Sequence, residues 1–197
     1  SIPHTLLISA IGVMEDVSQT ISMDFKQAGD LIYVIGTIQN ELGGSEYFRS
    51  HGFVGNNVPK VNPRLAKELM DRLSIATEKG LVRACHDLSE GGLGVALADM
   101  AFAGGLGATI YLKSIPLGEA IDRDDFIFFS ESNTRFLAEV APECKNEFEK
   151  IMNGIKLATI GQVTDSEILE VYGLDDRKII AVALHGLKEA WQRPIRW

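Results

Sequence analysis

The chain has 197 residues, 46% of them hydrophobic and 23% charged, which is the balance of an ordinary globular protein long enough for one well-cored domain. Its formal net charge of −8 argues against nucleic-acid binding, which needs a basic face. No apolar run approaches the roughly 20 residues of a membrane span, and Cys85 and Cys144, which lack metal-binding spacing, are expected to be free thiols in a reducing cytoplasm.

The first half of the chain predicts strands at 5–13 and 30–36, because these runs are short, β-branched and bounded by turn residues. Strand-like sequence that begins almost at once, without an initiator methionine, leads us to expect that 1–197 is a single domain cut from a longer chain. A helix is predicted from Asn62-Pro63, a capping residue and a first-turn proline, to Gly80, and a strand at 81–85. The apolar face of that helix is Leu65, Leu69, Leu73 and Ala76.

In the second half, helices and strands alternate loosely, and adjacent strand pairs occur near the end. This order favours an α/β or α+β fold, in which a mixed β-sheet is layered with helices. The predicted elements are helices at 93–103 and 143–152, a helical turn at 187–192, and strands at 108–112, 126–129, 136–140, 157–163, 168–172 and 178–184.

The most polar cluster, "HDLSEGG" at 86–92, lies where a predicted strand leads into a helix. Free backbone N–H groups and the positive end of the helix dipole meet there, and Gly91 and Gly92 would let a phosphate come close. Because Asp87 and Glu90 would repel that phosphate, a bridging Mg²⁺ held by Asp87 is expected. The alternative is that Ser89 or Asp87 only caps the helix.

Two further clusters have a structural interpretation that is preferred when each is taken alone. In "ELGGSEY" at 41–47, Gly43 and Gly44 form a turn, and Ser45 caps it. In "FSESNTR" at 129–135, Glu131 and Ser132 lie in a solvated hairpin, although such a turn can also present acceptors to a ribose or an amide. His86, as a lone imidazole, is more often a hydrogen-bonded structural residue than a catalyst. The sequence contains no P-loop, dinucleotide fingerprint, zinc motif or nucleophile elbow.

Taken together, "ELGGSEY" (41–47), "HDLSEGGLGVALADMAFAGGLGA" (86–108) and "FFSESNTRFLAEV" (128–140) closely resemble the C-terminal domain of the synthetase subunit of the phosphoribosylformylglycinamidine synthase family. The stretches "ISAIGVMEDV" (8–17) and "GDLIYVIG" (29–36) also fit, so the resemblance covers nearly the whole chain. It implies the fold of the aminoimidazole ribonucleotide synthetase C-terminal domain, in a superfamily of ATP-dependent enzymes.

The resemblance implies a carbon–nitrogen ligase of de novo purine biosynthesis. In this family ATP activates the amide oxygen of formylglycinamide ribonucleotide as an iminophosphate, and ammonia from glutamine then gives the amidine. By motif match, Asp87 corresponds to a metal-binding residue and Ser89, with Gly91 and Gly92, to a nucleotide contact. His86 and Glu90 remain possible contacts of nucleotide or substrate, as do Gly43, Gly44, Ser45, Glu131 and Ser132. The implied cofactors are Mg²⁺ and ATP, or ADP as a structural nucleotide.

Nothing in the sequence corresponds to the family's N-terminal ATP-binding domain or to its glutaminase. The resemblance therefore implies that these parts, with the first synthetase half of a longer chain, are partners, and that the isolated chain is inactive. Two alternatives stay open. The chain could be a non-catalytic scaffold half that holds a structural nucleotide, or it could be the C-terminal domain of another superfamily member, such as aminoimidazole ribonucleotide synthetase.

Overall fold

The structure, a computed structural model that describes residues 7–14 and 16–195, contains one seven-stranded mixed sheet. Its strands are β1 (Leu31–Ile35), β2 (Ala84–Asp87), β3 (Gly107–Tyr111), β4 (Phe136–Val140), β5 (Leu157–Thr164), β6 (Ile168–Tyr172) and β7 (Lys178–Ala183). In space they follow the order β2-β4-β1-β5-β3-β6-β7. Neighbouring strands are antiparallel except β3 and β6, which are parallel. The mixed sheet layered with helices that the sequence predicts is confirmed.

Helices cover both faces of this sheet. They are α1 (Glu46–Ser50), α2 (Pro63–Glu78), α3 (Gly92–Gly104), α4 (Asp124–Phe129), α5 (Lys145–Ile151) and α6 (Leu184–Gln192). Successive side chains of a strand point to opposite faces, so β1 contributes to two apolar layers. Ile32 and Val34 pack in the layer that contains α3, whereas Tyr33 and Ile35 pack in the layer that contains α2 and α5.

Helix α2 begins as predicted, since the Asn62 side chain accepts a hydrogen bond of 3.2 Å from the Leu65 amide and Pro63 occupies the first turn. Leu69, Leu73 and Ala76 are buried, but Leu65 is exposed, which corrects one position of the predicted apolar face. The next strand, β2, starts three residues later than predicted, at Ala84. The reason is that the Leu81 amide still bonds to the Ala76 carbonyl and completes the end of α2.

The prediction of a strand at 126–129 is wrong, because these residues lie in α4. Short apolar runs do not separate strand from helix by periodicity alone. Asp124 and Asp125 in the first turn favour the helix through its dipole. The strand predicted at 5–13 is also not formed over residues 7–13, whose side chains are exposed, and its first two residues lie outside the described part of the chain.

Cys85 and Cys144 are both free thiols, and burial raises the pKa of Cys85 to about 12. None of the helices in the described ranges is long and apolar enough to cross a membrane.

Two buried carboxyl groups, Glu139 on β4 and Asp30 just before β1, lie beside each other. Glu139 Oε2 accepts a hydrogen bond of 2.8 Å from the Lys26 amide, and its Oε1 accepts one of 2.9 Å from the Gln27 amide. Arg83 Nε lies 3.2 Å from Asp30 Oδ2, an ion pair without hydrogen-bond alignment. Burial, with the neighbouring Asp30 carboxyl, raises the pKa of Glu139 to about 7 against the pull of the two amides.

We expect this raised pKa to make stability fall as the pH rises. The folded state holds the proton of Glu139 up to about pH 7, whereas the unfolded chain releases it near its ordinary pKa of 4.5. Between these values the protein should lose at most about 3 kcal/mol of unfolding free energy. Urea unfolding at stepped pH should show this loss in the wild type and a flatter curve in Glu139→Gln. Two parallel curves would contradict the assignment.

Candidate functional site

An open cleft of about 600 Å³ lies where β2 leads into α3. Pairing of β2 with β4 sets the end of the strand, with His86 opposite Leu137 and Asp87 opposite Phe136. Asp87, Ser89 and Glu90 are exposed here, so their polar groups remain in contact with water. The lining of the cleft comprises residues 86–90, Val95, Ala96 and Asp99 of α3, and Pro59, Glu131 and Asn133 from the opposite side.

Asp87 has a carboxylate whose ionised form is stabilised by its neighbours in the cleft. The Ser89 hydroxyl donates a short hydrogen bond to Asp87 Oδ2, and His86 Nδ1 lies 3.3 Å from Asp87 Oδ1. The Ser89 hydrogen bond holds the pKa of Asp87 below its usual range, against the effect of partial burial. Asp87 is therefore ionised at neutral pH, with part of its surface open to a ligand. Ser89 does not cap α3, because the residue at the N-cap position of this helix is Gly91.

His86 bridges the two acidic groups of the same wall. Its Nε2 lies 3.6 Å from Asp99 Oδ2, on the next turns of α3, while its Nδ1 faces Asp87. Burial raises the pKa of Asp99, and His86 partly offsets that shift. This histidine therefore lies between two carboxyl groups, with a hydrogen bond to Asp87 and Asp99 at a longer distance. The sequence did not indicate Asp99, because an acid inside an alanine-rich helix carries no motif. In the structure, Asp99 and Val95, which are four residues apart on α3, both line the cleft.

Glu131, in the cluster at 129–135, is hydrogen-bonded to both of the other polar clusters. Its Oε1 accepts a hydrogen bond of 2.8 Å from the Gly91 amide at the start of α3, and one of 2.9 Å from the Glu46 amide at the start of α1. Its own amide donates to the Glu41 carbonyl at 3.3 Å. The Gly91 N–H, one of the groups that the sequence predicted to bind a phosphate, therefore already donates to the Glu131 carboxylate. At this N–H group the protein supplies its own acceptor, close to the positive end of the α3 dipole.

The prediction of a solvated hairpin at 129–135 is wrong, because Phe129 ends helix α4 and Ser130, Ser132 and Arg135 are buried, although Asn133 is exposed. Ser130 and Ser132 are fully enclosed, with their hydroxyl groups 3.0 Å apart, and each lies within hydrogen-bond distance of the Gln39 carbonyl. Arg135 is buried as well and donates from Nε to the Ser132 carbonyl and from Nη2 to the Ser130 carbonyl. Burial lowers the pKa of Arg135 to about 10. Ser132 therefore serves the internal network and is not presented to the cleft.

Ser45 and the glycines of the two glycine-containing clusters have structural roles. Ser45 is buried and accepts the Phe48 amide at 3.1 Å, so it caps α1, a helix that the sequence did not predict. A side chain on Gly43 would collide with the backbone of Asn57, and Gly44 has a φ of 78°. Gly91 and Gly92 also have positive φ, of 77° and 60°. A Cβ on Gly92 would overlap the Ser130 carbonyl. The first turn of α3 therefore packs closely against the protein's own backbone at Gly92 and does not face a space open to a ligand there.

Comparison with known proteins decides the family. Residues 27–173 match the family described as AIR synthase related protein, C-terminal domain. The chain belongs to this family. The match extends from just before β1 to the end of β6, so it includes the cleft and all three polar clusters.

Two curated proteins that are similar to this chain are both phosphoribosylformylglycinamidine synthase subunits. The chain is 35% identical to phosphoribosylformylglycinamidine synthase subunit PurL of Alkaliphilus metalliredigens, over 98% of this chain and 25% of that protein. It is also 35% identical to the PurL subunit of Caldanaerobacter subterraneus, over 98% of this chain and 26% of that protein. The chain thus spans about a quarter of the length of these curated relatives.

Solved structures share the fold of this AIR synthase related domain. PurL of Thermotoga maritima complexed with FGAR superimposes with a TM-score of 0.77 at 21% identity, over 87% of this chain and 30% of that chain. The hydrogenase maturation protein HypE of E. coli gives a TM-score of 0.62 at 19% identity, over 83% of this chain and 52% of that chain. Other T. maritima PurL structures are complexed with ADP and with ATP, and one is the PurLQS structure.

The AIR synthase related domain offers a metal ion one good ligand in the cleft. Among residues 7–14 and 16–195, no group of three His, Cys, Asp or Glu side chains could hold a metal by itself. Asp87, ionised and partly open, could supply one oxygen to a Mg²⁺ whose other ligands are phosphate oxygens and water, which is how Mg²⁺ commonly binds. The residues present thus fit a nucleotide-bound Mg²⁺ and not a free-standing metal centre.

Proposed function

We propose that this chain is the C-terminal domain of the synthetase subunit of a phosphoribosylformylglycinamidine synthase. The observation that carries the proposal is the 35% identity to PurL subunits over 98% of the chain. In that ligase of de novo purine biosynthesis, formylglycinamide ribonucleotide becomes the amidine through an iminophosphate, with ATP and glutamine-derived ammonia. The partners would be an N-terminal ATP-binding domain, a first synthetase half and a glutaminase, all in the cytoplasm.

The cleft is the part of the domain that would meet the nucleotide. Asp87 would hold a Mg²⁺ that bridges it to phosphate, and Ser89 would keep the Asp87 carboxylate oriented and ionised through its hydrogen bond. Glu90 and His86 lie on the same wall as possible contacts. Magnesium, when bound, would neutralise phosphate charge beside the acids of the cleft.

A second candidate is a scaffold half that holds a structural nucleotide, and one observation favours it. Glu131 and Ser132, which the resemblance gives as possible substrate contacts, are both used internally, Glu131 by the Gly91 and Glu46 amides and Ser132 by the Gln39 backbone. A residue that already satisfies buried backbone groups cannot also release its hydrogen bonds to substrate without cost. In the longer protein, Asp87→Asn would abolish turnover in a catalytic half and only lower stability in a scaffold half.

Nucleotide binding by the 197-residue chain should be weak and should require Mg²⁺. Asp87 and Glu90 repel bare phosphate, and a cation between them removes that repulsion, so ATP should bind with a Kd on the millimolar scale, about −4 kcal/mol. Titration of ATP into ¹⁵N-labelled chain should shift the amides of residues 87–93 with Mg²⁺ and much less without it. Asp87→Asn should abolish the Mg²⁺ dependence.

The matched control is Asp165→Asn, which removes the same charge from an exposed position outside the cleft. It should bind ATP as the wild type does. If nucleotide shifts other amides while residues 87–93 stay unchanged, the phosphate site lies elsewhere and the assignment of Asp87 is wrong.

A further inference from the structure

An apolar segment, "LISAIGVM" at residues 7–14, lies exposed ahead of the sheet. Its large side chains Leu7, Ile8, Ile11 and Val13 are 87%, 77%, 95% and 97% exposed. No residue of the segment belongs to a helix or a strand, and none forms a hydrogen bond with another residue within the described ranges. Single exposed apolar residues are common, but a consecutive run is unfavourable in water unless another surface covers it.

The order of residues in segment 7–14 is typical of a β-strand. In an extended chain, Leu7, Ile11 and Val13 share one face, while the small residues Ala10 and Gly12 lie on the other. β-branched residues favour this conformation. The segment contains neither proline nor a charged residue, which are features that keep exposed strands from pairing. The pattern therefore predicts a strand, and what it lacks is a sheet edge to pair with.

The sheet of this domain does not take up the segment. At the β2 edge of the sheet, the Cys85 amide donates to the Ser22 carbonyl at 3.3 Å, so the chain meets this edge only after the segment has ended. The family match also begins later, at residue 27, whereas the alignments with the PurL relatives cover 98% of the chain and so include all or most of the segment. The chain spans 25% and 26% of these relatives, which leaves room in them for further folded domains.

Met14 connects the segment to the surface of the domain. It lines a groove together with Met70 and Leu73 of α2 and Phe136 of β4. Met14 and Met70 are about half exposed, so the apolar surface continues from the segment onto α2. A contiguous apolar surface of this kind is typical of a site that another protein surface covers. A partner that pairs with the segment would therefore also reach α2.

We infer that residues 7–14 are a β-strand that adds to the open edge of a sheet in a neighbouring domain of a longer protein. Leu7, Ile11 and Val13 then pack onto the apolar core beneath that sheet, and the backbone N–H and C=O groups of the segment pair with its edge strand. A neighbouring domain fits better than a second copy of this chain, because the segment lies outside the family domain and is aligned in much longer relatives. The inference rests on the proposed function only in placing the chain within a longer protein.

Hydrogen exchange tests this strand in the 197-residue chain and in the full-length protein that contains it. In the 197-residue chain the amides of 7–14 should exchange as fast as those of an unstructured peptide. In the full-length protein at least every second amide should exchange about 100-fold more slowly, since pairing with one sheet edge protects alternate N–H groups. The exposed turn 165–167 is the reference and should exchange equally in both.

Three results would overturn the inference. The first is fast exchange of 7–14 in both proteins. The second is protection in the 197-residue chain that grows with its concentration, because the partner would then be a second copy. The third is a gene that encodes no further domain. The assay uses no substrate, so its outcome does not depend on whether the protein is a synthase.

A charge on the packed face gives a second measurement. In the full-length protein, Ile11→Asp should accelerate exchange of the protected amides about tenfold or more, because it places a carboxylate in an apolar core. In the 197-residue chain the same change should leave the melting temperature unchanged, since Ile11 is exposed there. Val17→Asp puts the same charge on an exposed apolar residue after the segment, and exchange should stay within about twofold. Equal effects of the two variants would mean a general response to charge and would refute the strand.

Discussion

Replacing Gly92 with alanine should destabilise the protein by about 2–5 kcal/mol, the sum of a left-handed backbone and an overpacked contact. Gly92 has a φ of 60°, which disfavours any residue with a Cβ. The added methyl would also overlap the Ser130 carbonyl and come within 3.0 Å of the Phe129 carbonyl carbon. Neither partner can move easily, because both belong to the backbone. Urea unfolding of Gly92→Ala against the wild type measures the loss.

The matched control lies at the other end of the same helix. Gly105 follows α3 with a φ of 68°, but a Cβ there would meet nothing within 4 Å. Gly105→Ala should therefore cost only the left-handed backbone, about 1–2 kcal/mol. The difference between the two variants isolates the collision with Ser130. If both variants lose the same unfolding free energy, the first turn of α3 can move away from Ser130. The close approach would then not hold that turn in position beside the cleft.

Replacing Glu131 with alanine should cost about 2–4 kcal/mol, since two backbone N–H groups lose their acceptor. The Gly91 amide is in a buried residue and the Glu46 amide in a half-buried one, so water replaces the carboxylate only in part. Because these amides begin α3 and α1, both helix starts should loosen together. Hydrogen exchange at Gly91 and Glu46 should accelerate along with the loss seen in urea unfolding.

Two variants separate the hydrogen bonds from the charge. Glu131→Gln keeps a carbonyl oxygen that can accept both amides, so it should cost about 1 kcal/mol or less. Glu90→Ala removes an exposed acid next to Gly91, and its effect should stay within about 0.5 kcal/mol. If Glu131→Ala is no worse than Glu90→Ala, the carboxylate does not hold the three clusters together.

Most of the sheet was predictable from the sequence because its strands follow local patterns. β4 and β6 were predicted residue for residue, since each is a short apolar run with turn residues at both ends. The start of α2 was equally clear from its Asn-Pro cap. Local pattern failed at 126–129, where four apolar residues fit either element and the acids before them decide for a helix.

The site was predictable only in part. Segment 86–92 was recognised because a polar cluster beside two glycines is rare, and its residues 86–90 do line the cleft. The role of Glu131 could not be predicted, since its partners Gly91 and Glu46 are 40 and 85 residues away in sequence. The burial of Ser132 and Arg135 has the same origin, because a polar stretch is enclosed only by contacts that the fold creates. Long-range contacts, not local propensity, decide which polar groups remain free.

The central strand β1 has a further consequence for how the chain reaches this fold. Both of its neighbours, β4 and β5, come from the second half of the sequence. During synthesis, β1 therefore leaves the ribosome long before either partner exists, with both backbone edges unpaired and apolar side chains on both faces. Such a strand is prone to pair with other chains until its partners arrive. Folding should be slow and should depend on protection of β1, because its contacts are among the most distant in the sequence.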